Sequence, residues 1–218
     1  MKPWFYLLPL FMIAACKPGA DFTAAEKELI NAGAAADVMR VLTVDSPEDS
    51  LLLRRSCSEF GSDALESPEC ALLSARMITT VTSPEQDGVG IAGPQVGISR
   101  RIVAVQRFDK EGEPFEVYPN IRIVEFRGQK EPGPEGCLSV PGRRGQVLRY
   151  RDIDISYTSP KTLADTLERV QGFTAVIFQH ECDHLDGILY TDRADTVFVN
   201  DAWALERSSH SYSRPTWW

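Results

Sequence analysis

Past residue 66 the spacing of apolar positions along the chain changes several times. Ser67-Pro68-Glu69 joins a hydroxyl N-cap, a proline at the first helical position and an acid in the first turn. The following CALLSARMITTV predicts a helix running to about Thr82. A glycine-rich loop, DGVGIAGPQVG, then spans residues 87–97. RIVAVQ (101–106), IRIVEF (121–126) and VLRYRDIDISY (147–157) are rich in β-branched residues, the last alternating clearly, and all three predict strands. A short strand near LERVQ follows, and Gly172 breaks the pattern. FTAVIFQHECDHL is apolar on nearly every side, as a central buried helix should be, and Gly187 suits its left-handed cap. Strands first and a central helix late predict an α+β domain of mainly antiparallel sheets, not alternating βαβ units.

The amino terminus has a different texture. In MKPWFYLLPLFMIAAC only Lys2 is charged, and the apolar run from Trp4 to Ala15 is shorter than the roughly 20 residues a membrane-crossing helix needs. It suits the core of a signal peptide, and Ile13-Ala14-Ala15-Cys16 resembles the lipobox of bacterial lipoproteins. That resemblance implies lipid attachment at Cys16, a membrane partner, and an exported protein anchored at the periplasmic face or cell surface. The alternative is a cytoplasmic protein starting at Met39. The expected plan is a signal peptide (1–15), a tether with one short helix (16–44), a catalytic domain (45–206) and a flexible tail (207–218) that ends in two tryptophans.

Charge narrows the partners. A net charge of −8 and a pI near 5.0, with no basic stripe, argue against nucleic acid. Five cysteines accompany only three histidines, and two of those histidines stand four apart at His180 and His184. On a helix residues four apart differ by about 40° around the axis, so both imidazoles share a face. Glu181 lies beside that face, in reach of a water without being a ligand, and Asp183 is expected to orient an imidazole. His-Glu-x-x-His is most familiar from zinc peptidases. A catalytic site of that type needs a third protein ligand. The longer peptidase pattern would place a histidine where Tyr190 stands, and Glu206 is the only glutamate downstream, in a polar stretch. Cys137, in GPEGCLSVPG, would complete a Cys-His-His set, although a free cysteine is commonly just a small buried hydrophobe. Cys182, about 200° round the helix from His180, should point into the core. Cys57 and Cys70 could pair in an oxidising compartment.

Three stretches together resemble peptide deformylase, the metal hydrolase that removes formyl from N-formylmethionyl peptides. They are Gly88 to Gln95, against G-φ-G-φ-A-A-x-Q; Glu135 to Ser139, which matches E-G-C-L-S in full; and Gln179 to Gly187, which matches Q-H-E-x-D-H-L-x-G in full. The likeness runs from about Asp45 to Arg193. It departs at Gly93, where the family usually has alanine and a looser loop is expected, and at Pro119-Asn120, where the family has the reverse order. The resemblance implies Cys137, His180 and His184 as ligands of one divalent ion, Fe2+ or Zn2+, with zinc better suited to an exported, more oxidising setting. It also implies Glu181 as general acid/base, the Gln95 amide and the Leu138 backbone N–H as oxyanion donors, and Val89 and Gly90 lining the methionine pocket. A metallopeptidase acting on unformylated peptides, and a lipid-anchored binding protein without activity, are the competing readings.

Overall fold

The computed structural model describes residues 21–199. Four helices come first: α1 (Ala24–Asn31), α2 (Pro47–Leu53), α3 (Ser62–Glu66) and α4 (Pro68–Val81). A three-stranded antiparallel sheet follows in the order β1 (Gly90–Ala92), β2 (Ile102–Gln106), β3 (Phe115–Pro119). The second sheet is built from β4 (Arg122–Cys137), β5 (Val140–Thr158) and β6 (Asp165–Gln171), with β7 (Thr196–Val199) also paired to β5. Helix α5 (Gly172–Leu185) packs against β1 and β2 of one sheet and against β4, β5 and β6 of the other. This is the α+β arrangement that the sequence predicts.

Local chemistry explains the main elements. Ser67 caps α4 by accepting from the Cys70 N–H at 3.2 Å, with Pro68 at N1. Gly172, at φ 70°, turns the chain from β6 into α5, where every residue from Thr174 to Leu185 is buried. Gly187, at φ 72°, ends that helix in the left-handed region, and a Cβ there would collide with the Arg54 carbonyl.

Strands β4 and β5 run much further than their β-branched stretches predict. Residues 127–136, RGQKEPGPEG, carry the glycine and proline punctuation of a loop. They nevertheless form strand because β4 is an edge, paired only to β5, where proline's missing donor is harmless. Register shifts, one of them between Arg127 and Lys130 around Gly128 at φ 76°, absorb the irregularity.

Two departures from the family pattern acquire a structural reason. A methyl added at Gly93 would sit 2.7 Å from the Ile98 carbonyl oxygen and 2.8 Å from that of Arg100. The glycine therefore permits a tighter loop rather than a looser one. At the second departure Pro119 ends β3 and Asn120 turns the chain at φ 55°. The Asn120 side chain then accepts from the Phe60 N–H at 2.7 Å and donates to the Phe60 carbonyl at 3.2 Å.

The stretch expected to be a tether contributes to the core. It carries the expected short helix, α1, but Phe22, Ile30, Met39 and Leu42 are all buried. Phe22, Ile30 and Met39 belong to the cluster under α4 and β2. Cys57 and Cys70 are both free, which rules out the pairing considered above, and pack in different clusters. Cys182 lies in the core between α5 and the sheets, as its position round the helix predicts. The expected signal segment with Cys16 and the expected tail from 207 lie outside the described residues.

Candidate metal centre

The site is assembled from three elements. Helix α5 supplies His180, Glu181 and His184; the tip of the β4–β5 hairpin supplies Cys137; and a 3-10 turn at Gly93–Val96 supplies Gln95. Only Leu138 and Ser139 separate the two long strands, so Cys137 sits at the last paired position before the turn, opposite Val140. One ligand atom from each of Cys137, His180 and His184 lies within 4.8 Å of the others, and Cys137 Sγ is 3.2 Å from His184 Nε2. Both histidines are buried. A soft thiolate with two imidazoles is a donor set for one divalent transition-metal ion and leaves a coordination place over.

Glu135, not Asp183, orients an imidazole. His180 Nδ1 donates to Glu135 Oε2 at 2.8 Å, which leaves Nε2 as the ligating nitrogen. Arg149 holds Glu135 in turn, donating through Nε at 2.7 Å and Nη2 at 3.1 Å. Asp183 instead accepts from Arg149 at 2.6 Å and from both forks of Arg193, each at 2.6 Å. Burial works against the Glu135 charge, but His180 and Arg149 outweigh it and pull the carboxyl down to about 2. For His180, burial disfavours the cation, and the hydrogen bonds to Cys137 and Glu135 more than reverse this, raising it well above the usual imidazole range. His184, with no such partner for Nδ1, is driven well below that range by burial.

Glu181 is the contrasting carboxylate. It is buried, Oε2 has no hydrogen-bond partner in the protein, and burial pushes its carboxyl up to about 7. A Cβ on Gly90 would stand 2.5 Å from Glu181 Oε1, so the bare backbone of Gly90 makes room for that carboxylate. Gln95 is anchored by the Ala92 N–H, which donates to its Oε1 at 2.8 Å. Its Nε2 then donates to Ser139 Oγ at 3.2 Å and points past Cys137 Sγ at 3.7 Å. The Ser139 N–H donates to the same sulfur at 3.4 Å.

The structure thus gathers Cys137, His180, His184, Glu181 and Gln95, with Leu138 in the adjoining turn, Val89 just before β1 and Gly90 as its first residue. Sequence reasoning missed Glu135, Arg149 and Ser139. Glu135 carried a readable signal, standing two residues before the thiolate as the first member of EGCLS. Arg149 carried none, since its role depends on strand register across the hairpin, where it faces Glu131.

A Cys-His-His set with both histidines buried, beside a buried carboxylate that keeps one oxygen unpartnered, defines a metal-dependent hydrolase. Residues 38–198 match the polypeptide deformylase family, and the three motifs fall within that span. The chain belongs to this family, and its activity is metal-dependent hydrolysis of the deformylase type. It is 42% identical over 132 residues to the peptide deformylase of Desulforudis audaxviator, covering 60% of this chain and 81% of that one. A class I type b peptide deformylase from Acinetobacter baumannii, solved with Met-Ala-Ser bound, superposes with a TM-score of 0.64 at 35% identity, covering 72% of this chain and 99% of that one. The Thermotoga maritima enzyme gives 0.63 at 30% identity, covering 73% and 99%.

These relatives overturn the expected exported, membrane-anchored location. Almost the whole of each solved relative is accounted for by the catalytic unit, which leaves no counterpart of an anchored amino-terminal segment. Among the described residues no helix is long and apolar enough to cross a membrane.

Proposed function

We propose that the chain hydrolyses the formyl group from N-formylmethionyl peptides, releasing formate and a free amino terminus. The observation that carries this is the convergence of Cys137, His180 and His184 on one point beside the buried Glu181 carboxylate. A divalent ion held by those three residues would supply a Lewis acid that makes water nucleophilic near neutral pH. Glu181 takes the proton from the attacking water and delivers it to the amine as the formyl C–N bond breaks. The carboxyl raised to about 7 by burial suits both halves of that task. As the formyl carbon becomes tetrahedral, the Gln95 amide and the Leu138 backbone N–H share the charge on its oxygen. Gln95 is preorganised for this by the Ala92 N–H and Ser139.

Strand β1 is an edge of its sheet, paired to β2 alone, so an extended peptide can add beside it. Val89 and Gly90 then line the methionine pocket. The Met-Ala-Ser bound to the Acinetobacter baumannii enzyme has the chemistry of a deformylated product and supports this substrate class. The donor set suits either Fe2+ or Zn2+, and with the location corrected, oxidation no longer favours zinc. Metal analysis of anaerobically purified protein identifies the ion.

Formate release from formyl-Met-Ala-Ser, with unformylated Met-Ala-Ser left intact, tests the reading. Glu181→Gln should lower kcat by about 10²–10⁴-fold, the usual worth of a general acid/base. Cleavage of Met-Ala-Ser without formate production would mean a peptidase instead.

A further inference from the structure

Residues 39–44 form a strap, without helix or strand and entering a turn at Val44, four of whose backbone donors go to four separate elements. The Met39 N–H donates to Thr80 Oγ1 on α4 at 2.8 Å. The Leu42 N–H donates to the Gln95 carbonyl at 2.8 Å, and the Val44 N–H to the Ser139 carbonyl at 2.9 Å. The Thr43 N–H between them donates to Asp49 Oδ2 on α2 at 3.2 Å. Asp49 is buried and also accepts from both forks of Arg40, at 2.7 and 2.8 Å.

Two of these contacts fall on the groups that flank the reacting centre. Gln95 and Ser139 belong to different elements, the 3-10 turn and the β4–β5 hairpin tip, and no strand ladder joins them. Their side chains meet at 3.2 Å, while their carbonyls are held by donors only two residues apart on the strap. Two donors two residues apart on one segment tie the two carbonyls to a common ruler. The ruler is held in register by Asp49 through Thr43, which lies between its two marks.

We propose that the strap is a positioning element for the oxyanion donors, and that Asp49 is the positioning residue that holds it. It sets the separation of the Gln95 turn from the Cys137-Leu138-Ser139 turn and touches no substrate itself. This rests on the roles proposed above for Gln95 and Leu138. Displacing a reacting geometry by about 1 Å can cost up to about 10²-fold in rate.

The test compares Asp49→Ala, Asp49→Asn and Arg40→Ala in the metal-loaded enzyme. Asp49→Ala should lower kcat by about 10–10²-fold with KM within about twofold. Asp49→Asn, which keeps an acceptor for the Thr43 N–H, should restore most of that loss. Arg40→Ala removes the ion pair but leaves the Asp49 bond to the Thr43 N–H, so it should lower stability while kcat stays within about twofold of wild type. A second readout is independent of turnover: the rate at which a disulfide reagent attacks Cys137 in metal-free protein, with Cys16, Cys57, Cys70 and Cys182 replaced by alanine in every variant. It should change in Asp49→Ala and return in Asp49→Asn. Should Asp49→Ala fail to fold, an amide-to-ester replacement at Val44 deletes the donor to Ser139 with every side chain kept and should reproduce the kcat loss. Wild-type kcat and thiol reactivity in folded Asp49→Ala, or in the ester, overturn the strap. A wild-type enzyme releasing no formate would instead refute the proposed function, leaving the thiol readout to judge the strap alone.

Discussion

Two buried carboxylates lie within one helical turn's reach of the metal ligands, and their surroundings push them apart. Glu135 is braced by a guanidinium and an imidazole, whereas Glu181 has burial around it and an oxygen without a partner. The first is built to stay charged and hold His180; the second is built to exchange a proton. Glu135→Gln keeps the volume but loses the anion that fixes the His180 tautomer. Metal affinity should drop about 10–100-fold, as for other partners of this kind, measured by competition with a chromophoric chelator. Gly90→Ala should be nearly as damaging to turnover as losing Glu181, because the new methyl falls 2.5 Å from its carboxylate and 2.8 Å from Ile177 Cγ2. Formate release from folded Gly90→Ala within twofold of wild type would contradict that. The two histidines and Glu181 were legible because their spacing on a helix is itself the signal, whereas Cys137 was legible only through the EGCLS motif. Asp183 misled for the same reason: proximity in sequence to both histidines suggested contact, but its side chain leaves the imidazoles for Arg149 and Arg193.

At the level of elements, α4 and α5 were readable from caps and apolar density, and β2 from its β-branched run. Strand β3, FEVYP, escaped notice because only one of its middle positions is aliphatic and its ends are a phenylalanine and a proline. Strand β7 is four residues, all exposed, with no buried face to impose alternation. Helix α1 was foreseen only as a short helix because AAEKELIN offers one buried residue, Ile30. Its attachment comes from charge: Glu26 pairs with the buried Arg100 at 2.8 Å, and a capping box with Thr23 starts the helix. Burial opposes the Glu26 charge, yet the bonds from Arg100 and the Thr23 N–H prevail and hold its carboxyl below the ordinary 4.5. A depressed carboxyl stabilises the fold fully above its unfolded value and loses that contribution as pH falls through the lower folded value. Glu26→Gln should therefore lower Tm near neutrality, and the gap to wild type should close as pH falls below 4.5. A gap that stays constant across that range would exclude Glu26 as its source.

Taken as a whole, the catalytic unit reaches upstream of the segment shared with its relatives, which begins at residue 38. Arg76 on α4 is buried and spends its guanidinium on the carbonyls of Leu29, Ile30 and Asp37, at 3.1, 2.8 and 3.2 Å. Phe22 meets Phe60 edge to face with centroids 5.3 Å apart, and Arg100 stands over both rings. None of this could be read from sequence, since an arginine seeking carbonyls leaves no periodic trace. Deleting residues 21–37 should cost about 3–6 kcal/mol from the burial of Phe22 and Ile30 alone. Urea unfolding monitored by circular dichroism measures it, and a midpoint unchanged by the deletion would show the extension to be ornamental.

The two-residue turn at Leu138-Ser139 also has a consequence for how the chain acquires its ion during synthesis. The hairpin offers one donor and α5 offers two, and Cys137 and His184 are 47 positions apart. At about 5–20 residues per second, seconds pass between the emergence of the thiol and that of the second imidazole. The nascent hairpin alone would offer an ion one donor of the three, too few to discriminate one metal from another. A three-donor site would therefore exist only once α5 docks between the two sheets, so any choice among metals would be made by an almost finished fold.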